Sequence, residues 1–209
     1  MTSDLRAGAA ETGAGAAEAG AGVSAVAPGV FAVAPGVFAA VGRAACASEG
    51  LAARGLLARL LGFVEPSAAL EPVLSRDSGQ PYLAGRPDLS VSLSHDGGWV
   101  AAAVGLGVDV GVDVQPPLPV SPGMLRRCCT ASAREALACM STVDVEFAWM
   151  WSVQEACVKA EGTGIGGLPW TVPVEVGQVS GVWRGVRWQR LPTSVPASCA
   201  YREVPCSPG

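Results

Sequence analysis

Two chemically versatile side chains are nearly missing: His95 is the only histidine and Lys159 the only lysine. A Ser-His-Asp triad, a multi-histidine zinc site or a Schiff base would have to be built on one of these two residues. Charge is scarce as well, at 15% of residues, with 14 basic against 18 acidic groups and a net charge of −4. No global basic field exists to hold a polyanion, which excludes generic nucleic-acid binding; any anion must be caught by a local site. The seven cysteines form no C-x-x-C pair and are odd in number. That excludes a zinc ribbon and a full disulfide framework, and it points to reduced, partly buried thiols in a cytoplasmic protein. The adjacent Cys128 and Cys129 remain the pair that could bind or oxidise. Large side chains are almost absent from residues 1–22, so this segment cannot offset the entropy of ordering and reads as a disordered tail.

What is present is apolar: half of the 209 residues, with 27 glycines and 16 prolines as punctuation. VAPGVFA occurs twice, at 26–32 and 33–39, and its Pro-Gly pairs predict short strands joined by a turn rather than a coiled coil. The uncharged stretch 23–42 has the length of a membrane span, but its Pro-Gly pairs and the lack of a basic N-terminal flank argue against insertion. Nor does the order of charges preceding it suit a signal peptide, and the chain reads as soluble. Leucines between 44 and 62 recur at helical spacing, with Gly62 as the stop. Strands are predicted at 89–93, 99–104 and 108–114, and helices near 123–140 and 145–161, the latter closed by Gly162 and Gly164. The last third, at 170–176, 182–191 and 197–204, predicts a meander or hairpin, and the whole is α+β.

Three segments could carry chemistry. In VGVDVQ, period-two alternation puts Asp109, Gly111, Asp113 and Gln115 on one face. Oxygen ligands at a strand end suit a hard cation such as Mg²⁺; the competing reading is an edge strand with a solvated polar face. In WSVQEACVKAEG, Trp151, Glu155, Lys159 and Gly162 fall on one helical stripe. Glu155 and Lys159 are either a surface i,i+4 ion pair or a carboxylate and a cation beside aromatic surface, suited to a phosphate ester plus a metal. In SLSHDGGW, His95 lies in a polar turn between apolar strands, either as a structural residue or as part of an anion contact.

S-x-S-H-D-G-G-W-V, then G-V-D-V-Q, then W-S-V-Q-E-A-C-V-K-A-E-G-T-G, occur in that order across residues 79–166. This series resembles the Sfp-type 4′-phosphopantetheinyl transferases of the holo-acyl-carrier-protein synthase superfamily. The resemblance implies two similar α+β halves related by a pseudo-twofold, 23–106 and 107–209, the second carrying the metal site. Coenzyme A would bind in the cleft between them. It implies Mg²⁺-dependent transfer of the 4′-phosphopantetheine arm to a serine of an apo acyl-, peptidyl- or polyketide-carrier protein, releasing 3′,5′-ADP, by a cytoplasmic monomer. Fatty-acid, polyketide and nonribosomal-peptide synthases all supply such carriers. By position, Asp113, Gln115 and Glu155 would hold the metal, and Lys159 would contact the phosphate and assist the leaving group. Arg54, Ser94 and His95 would contact the coenzyme, and Glu135 is a further acidic candidate. The base would be Glu155 or a water on the metal that Glu155 orients. Gln115 offers a neutral oxygen where many members have a carboxylate, which weakens the metal site. Gln80 and Gln154 stand where lysines are usual, and Arg6 is the only cation before Arg43. Those losses on the coenzyme side suggest, as the alternative, a catalytically degenerate relative that binds coenzyme A or a carrier without turnover.

Overall fold

A computed structural model describes residues 23–44 and 48–204; the expected tail at 1–22 lies outside the described residues. Both Pro-Gly pairs of the repeat form turns. They join β1 (Ser24–Ala27), β2 (Val30–Ala34) and β3 (Val37–Arg43), with Gly29 at φ +72° and Gly36 at φ +71°. Helix α1 (Glu49–Val64) starts at Ser48, whose hydroxyl accepts the Leu51 N–H. It runs past Gly62 and stops before Pro66, which cannot continue a helix. The short hairpin β4 (Val73–Ser75) and β5 (Pro81–Leu83) leads to β6 (Leu89–Asp96) and β7 (Trp99–Leu106). The first sheet has the order β1-β2-β3-β7-β6.

Gly107 turns the chain at φ +70° into β8 (Val108–Val114), the edge strand of a second sheet. Three helices follow: α2 (Pro122–Cys128), α3 (Ala131–Ala138) and α4 (Val143–Glu161). The single helix expected over 123–140 is therefore two. Thr130 caps the second by accepting the Ala133 N–H, and that cap requires extended backbone at 129–130. Gly162, at φ +81°, ends α4 in the left-handed conformation. The strand expected at 170–176 is instead a 3₁₀ turn, Pro169–Thr171, followed by irregular chain. The segment 182–191 divides into β9 (Ser180–Trp183) and β10 (Val186–Arg190) around Arg184-Gly185, both at positive φ. With β11 (Ala197–Glu203) they complete the antiparallel order β8-β11-β10-β9.

The molecule is α+β, in four layers. α1 covers the first sheet through Leu57, Leu60 and Leu61 against Leu89, Val91 and Val104. α4 covers the second through Met150, Val153 and Cys157 against Trp188 and Ala200. Between the sheets lie Phe31, Val33 and Val37 from one side and Val110, Val112, Val114 and Cys199 from the other. Among the described residues no helix is long and apolar enough to cross a membrane. The described cysteines are all free, and burial pushes the Cys129 thiol up to about 11 and that of Cys199 up to about 12, so these two are protonated packing groups rather than reactive thiolates.

Candidate active site

The alternation in β8 does what its period requires: Val110, Val112 and Val114 enter the inter-sheet core while Gly111 and Asp113 face α4. That second face is covered rather than solvated, because the helix passes directly over Gly111. A Cβ there would lie 2.0 Å from the Ala156 carbonyl oxygen and 2.9 Å from the Lys159 Cβ. The close crossing brings Lys159 down onto β8. Its Nζ donates to Asp113 Oδ1 at 2.7 Å and to the Val112 carbonyl at 3.2 Å. Of the two readings of Glu155 and Lys159, the surface i,i+4 ion pair gives way to an ion pair between elements. The tryptophans do not flank the ammonium either: Trp149 stacks under Arg190 and Trp151 against Phe147. Buried Ser152 and Ser198, 2.8 Å apart, fasten α4 to β11 directly across from Asp113.

Asp113 is only 6% exposed and also accepts the Ser94 hydroxyl at 2.7 Å. Glu155 and Lys159 line a cavity of about 230 Å³ together with the 78–81 turn, Ser92 and Val110. Burial pushes the Glu155 carboxyl up from the ordinary range; Lys159 opposes that rise and Asp113 adds to it. Two carboxylates and one ammonium thus share a partly desolvated site with surplus negative charge, which fits a divalent cation. Gln115 stands at the end of β8, where its amide nitrogen donates to Asp96 Oδ2 at 3.0 Å and to the Pro116 carbonyl at 3.3 Å. Its oxygen is therefore the atom it can offer a metal. Among the described residues no three His, Cys, Asp or Glu side chains cluster closely enough to hold a metal by themselves.

Ser94, Asp113, Glu155 and Lys159 are brought together, with Gln115 two residues beyond Asp113 at the end of β8; His95, Arg54 and Glu135 lie outside this group. Ser-His-Asp is not a turn but the end of β6, paired with β7 as His95↔Val100, and only Gly97-Gly98 turn. His95 consequently faces α1, its Nδ1 3.3 Å from Glu49 Oε2, while Glu49 Oε1 accepts the Gly98 N–H at 2.5 Å. Arg54 donates to the Val73 carbonyl at 2.7 Å. Glu135 is exposed on α3. Gln154 is buried, donating to the Cys128 and Val172 carbonyls, so it braces the helices. Asp96, Glu49 and the close-packed Gly111 were not singled out from sequence. Asp96 and Glu49 gave no separate signal, whereas the glycine inside a strand was a visible mark of close backbone approach. A larger hollow of about 790 Å³ opens over β9 and β10, but no carboxylate lines it.

Residues 107–197 match the 4′-phosphopantetheinyl transferase superfamily. Over 90 residues the chain is 31% identical to the 4′-phosphopantetheinyl transferase psf-1 of Bacillus pumilus, covering 42% of this chain and 38% of that protein. Over 93 residues it is 26% identical to the 4′-phosphopantetheinyl transferase Sfp of Bacillus subtilis (strain 168), covering 44% and 41%. The match spans about two fifths of the length of each of these curated relatives.

Proposed function

We propose, from the match of residues 107–197 to the 4′-phosphopantetheinyl transferase superfamily, that the protein transfers the 4′-phosphopantetheine arm of coenzyme A to a serine of an apo acyl- or peptidyl-carrier protein. The observation that carries the reading is that Lys159, which lines a cavity together with Glu155, bonds Asp113 at 2.7 Å. We take the two halves to divide at Gly107, between β7 and β8, each a sheet backed by one long helix.

Asp113, Glu155 and the Gln115 oxygen would hold Mg²⁺, which when bound supplies positive charge to the diphosphate oxygens. Lys159, an ammonium on a flexible stem, is able to leave Asp113 for the phosphate that departs, countering charge where it develops. The carrier serine oxygen bonds to the β-phosphorus and the bond from that phosphorus to the 3′,5′-ADP oxygen breaks. The serine proton passes to Glu155 or to a water that Glu155 orients. A space of about 230 Å³ suits the diphosphate but not the whole coenzyme, so the nucleotide lies outside it. There the guanidinium of Arg43, stacked 4.1 Å over Trp99, would offer the coenzyme a cation on the N-terminal half.

The test mixes the protein with coenzyme A, Mg²⁺ and apo carrier domains and reads the intact mass of each carrier. Addition of the arm to the serine is the expected result. Coenzyme A binding with no transfer to any of several carriers would replace this reading with that of a non-catalytic relative.

A further inference from the structure

Strands β6 and β8 are both sheet edges, yet they run side by side without a backbone ladder. The outward N–H groups of β8 are taken up by side chains instead. The Ser90, Ser92 and Ser94 hydroxyl oxygens accept the N–H groups of Val110, Val112 and Val114 at 3.2, 3.0 and 3.4 Å. The match is a consequence of period two. Alternate side chains on β6 share a face and are spaced as alternate N–H groups are on β8, so the offset of 20 residues repeats three times. The seam satisfies an edge that would otherwise present unpaired donors. Its last rung differs from the others, because Ser94 also donates its single proton to Asp113 Oδ1 at 2.7 Å.

We propose that Ser94 is a positioning residue: it ties the orientation of the Asp113 carboxylate to the seam between the two sheets, and it acts on the metal through Asp113 rather than by touching the coenzyme. The inference rests on the function proposed above. With 8% exposure, one proton given to Asp113 and a lone pair directed at Val114 N–H, the Ser94 hydroxyl has little left for a ligand. Ser90 makes the same kind of bond to β8 but reaches no carboxylate, so it separates fastening from positioning.

The experiment compares Ser90→Ala with Ser94→Ala and with Ser94→Cys, which keeps the side chain's size while weakening its donor. Three quantities are read: amide hydrogen exchange, Mg²⁺ affinity by calorimetry, and the Mg²⁺ and coenzyme A dependence of transfer. Exchange should quicken at Val110 in the Ser90 variant and at Val114 in the Ser94 variants. Only the Ser94 variants should need more Mg²⁺, by about tenfold, the usual effect of losing a partner of a metal ligand. The KM for coenzyme A should stay close to that of the wild type. Unchanged Mg²⁺ affinity with a raised coenzyme A KM would overturn the proposal and make Ser94 a coenzyme contact. An equal Mg²⁺ effect from Ser90→Ala would overturn it too. If the wild type transfers nothing, the function reading falls; the exchange pattern and the calorimetric Mg²⁺ affinity still decide the role of Ser94.

Discussion

Replacing Gly111 by alanine tests how the site is assembled. The new methyl would sit 2.0 Å from the Ala156 carbonyl oxygen, 2.5 Å from the Ala160 nitrogen and 2.9 Å from the Lys159 Cβ. Two of those three atoms are helix backbone and cannot rotate aside. To restore an ordinary contact, α4 must retreat from β8 by about 1.4 Å. Overpacking of this kind costs about 1–3 kcal/mol, and contact with backbone puts Gly111→Ala at the upper end of that range. The same retreat lengthens the Lys159–Asp113 contact from 2.7 Å to about 4 Å if Lys159 moves with its helix. Transfer activity should therefore fall further than the loss of folded protein accounts for. Gly55, exposed on α1 with nothing within 4 Å of a built Cβ, is the control. Gly55→Ala should raise stability by about 0.5–1 kcal/mol by restricting the unfolded chain. Urea titration with a transfer assay on the same samples reads both effects. A Gly111→Ala protein as stable and as active as the wild type would refute the idea that close approach of α4 to β8 builds the site.

Four further outcomes follow from the same geometry. Asp113→Asn keeps an acceptor for Ser94 and should unfold within about 1 kcal/mol of the wild type while losing transfer by a hundredfold or more, measured by urea titration and carrier mass analysis. Lys159→Ala leaves the Asp113 carboxylate buried without its cation and should cost more stability than Asp113→Asn does, read on the same titration. For Glu155 the sign is set by burial: a raised folded-state pKa means the folded protein binds the proton more tightly than the unfolded chain. The charged carboxylate is then a liability above its folded pKa, so Glu155→Gln should raise Tm at neutral pH, with the advantage fading as pH falls through that pKa. Gln115→Glu would set a second carboxylate against Asp96, lowering Tm without metal and enlarging the Tm gain on adding Mg²⁺, which scanning calorimetry reads directly.

Much of this was legible in the residues because it depended on period and punctuation. Val108–Val114 is a strand with Asp113 on one face because alternation dictates it, and the Pro-Gly repeat turns where it must. Where distant atoms decide, the residues alone leave readings open or point elsewhere. Lys159 bonds Asp113 rather than Glu155 only because Gly111 lets the helix descend, and i,i+4 spacing carries no information about that. Ser-His-Asp was read as a turn from its polarity, yet it continues β6 because β7 supplies backbone partners. The serine seam is plain as alternation at 90, 92 and 94, but its meaning depends on a strand 20 residues away. The split between α2 and α3 was hidden by good helix formers on both sides of Thr130.

The most direct measurement is a crystal of the protein with coenzyme A and Mn²⁺, examined by anomalous scattering. The account predicts one manganese peak within about 2.3 Å of carboxylate oxygens of both Asp113 and Glu155, with the diphosphate beside the Lys159 ammonium. A peak held by other residues, with Lys159 still on Asp113 and the diphosphate elsewhere, would contradict it.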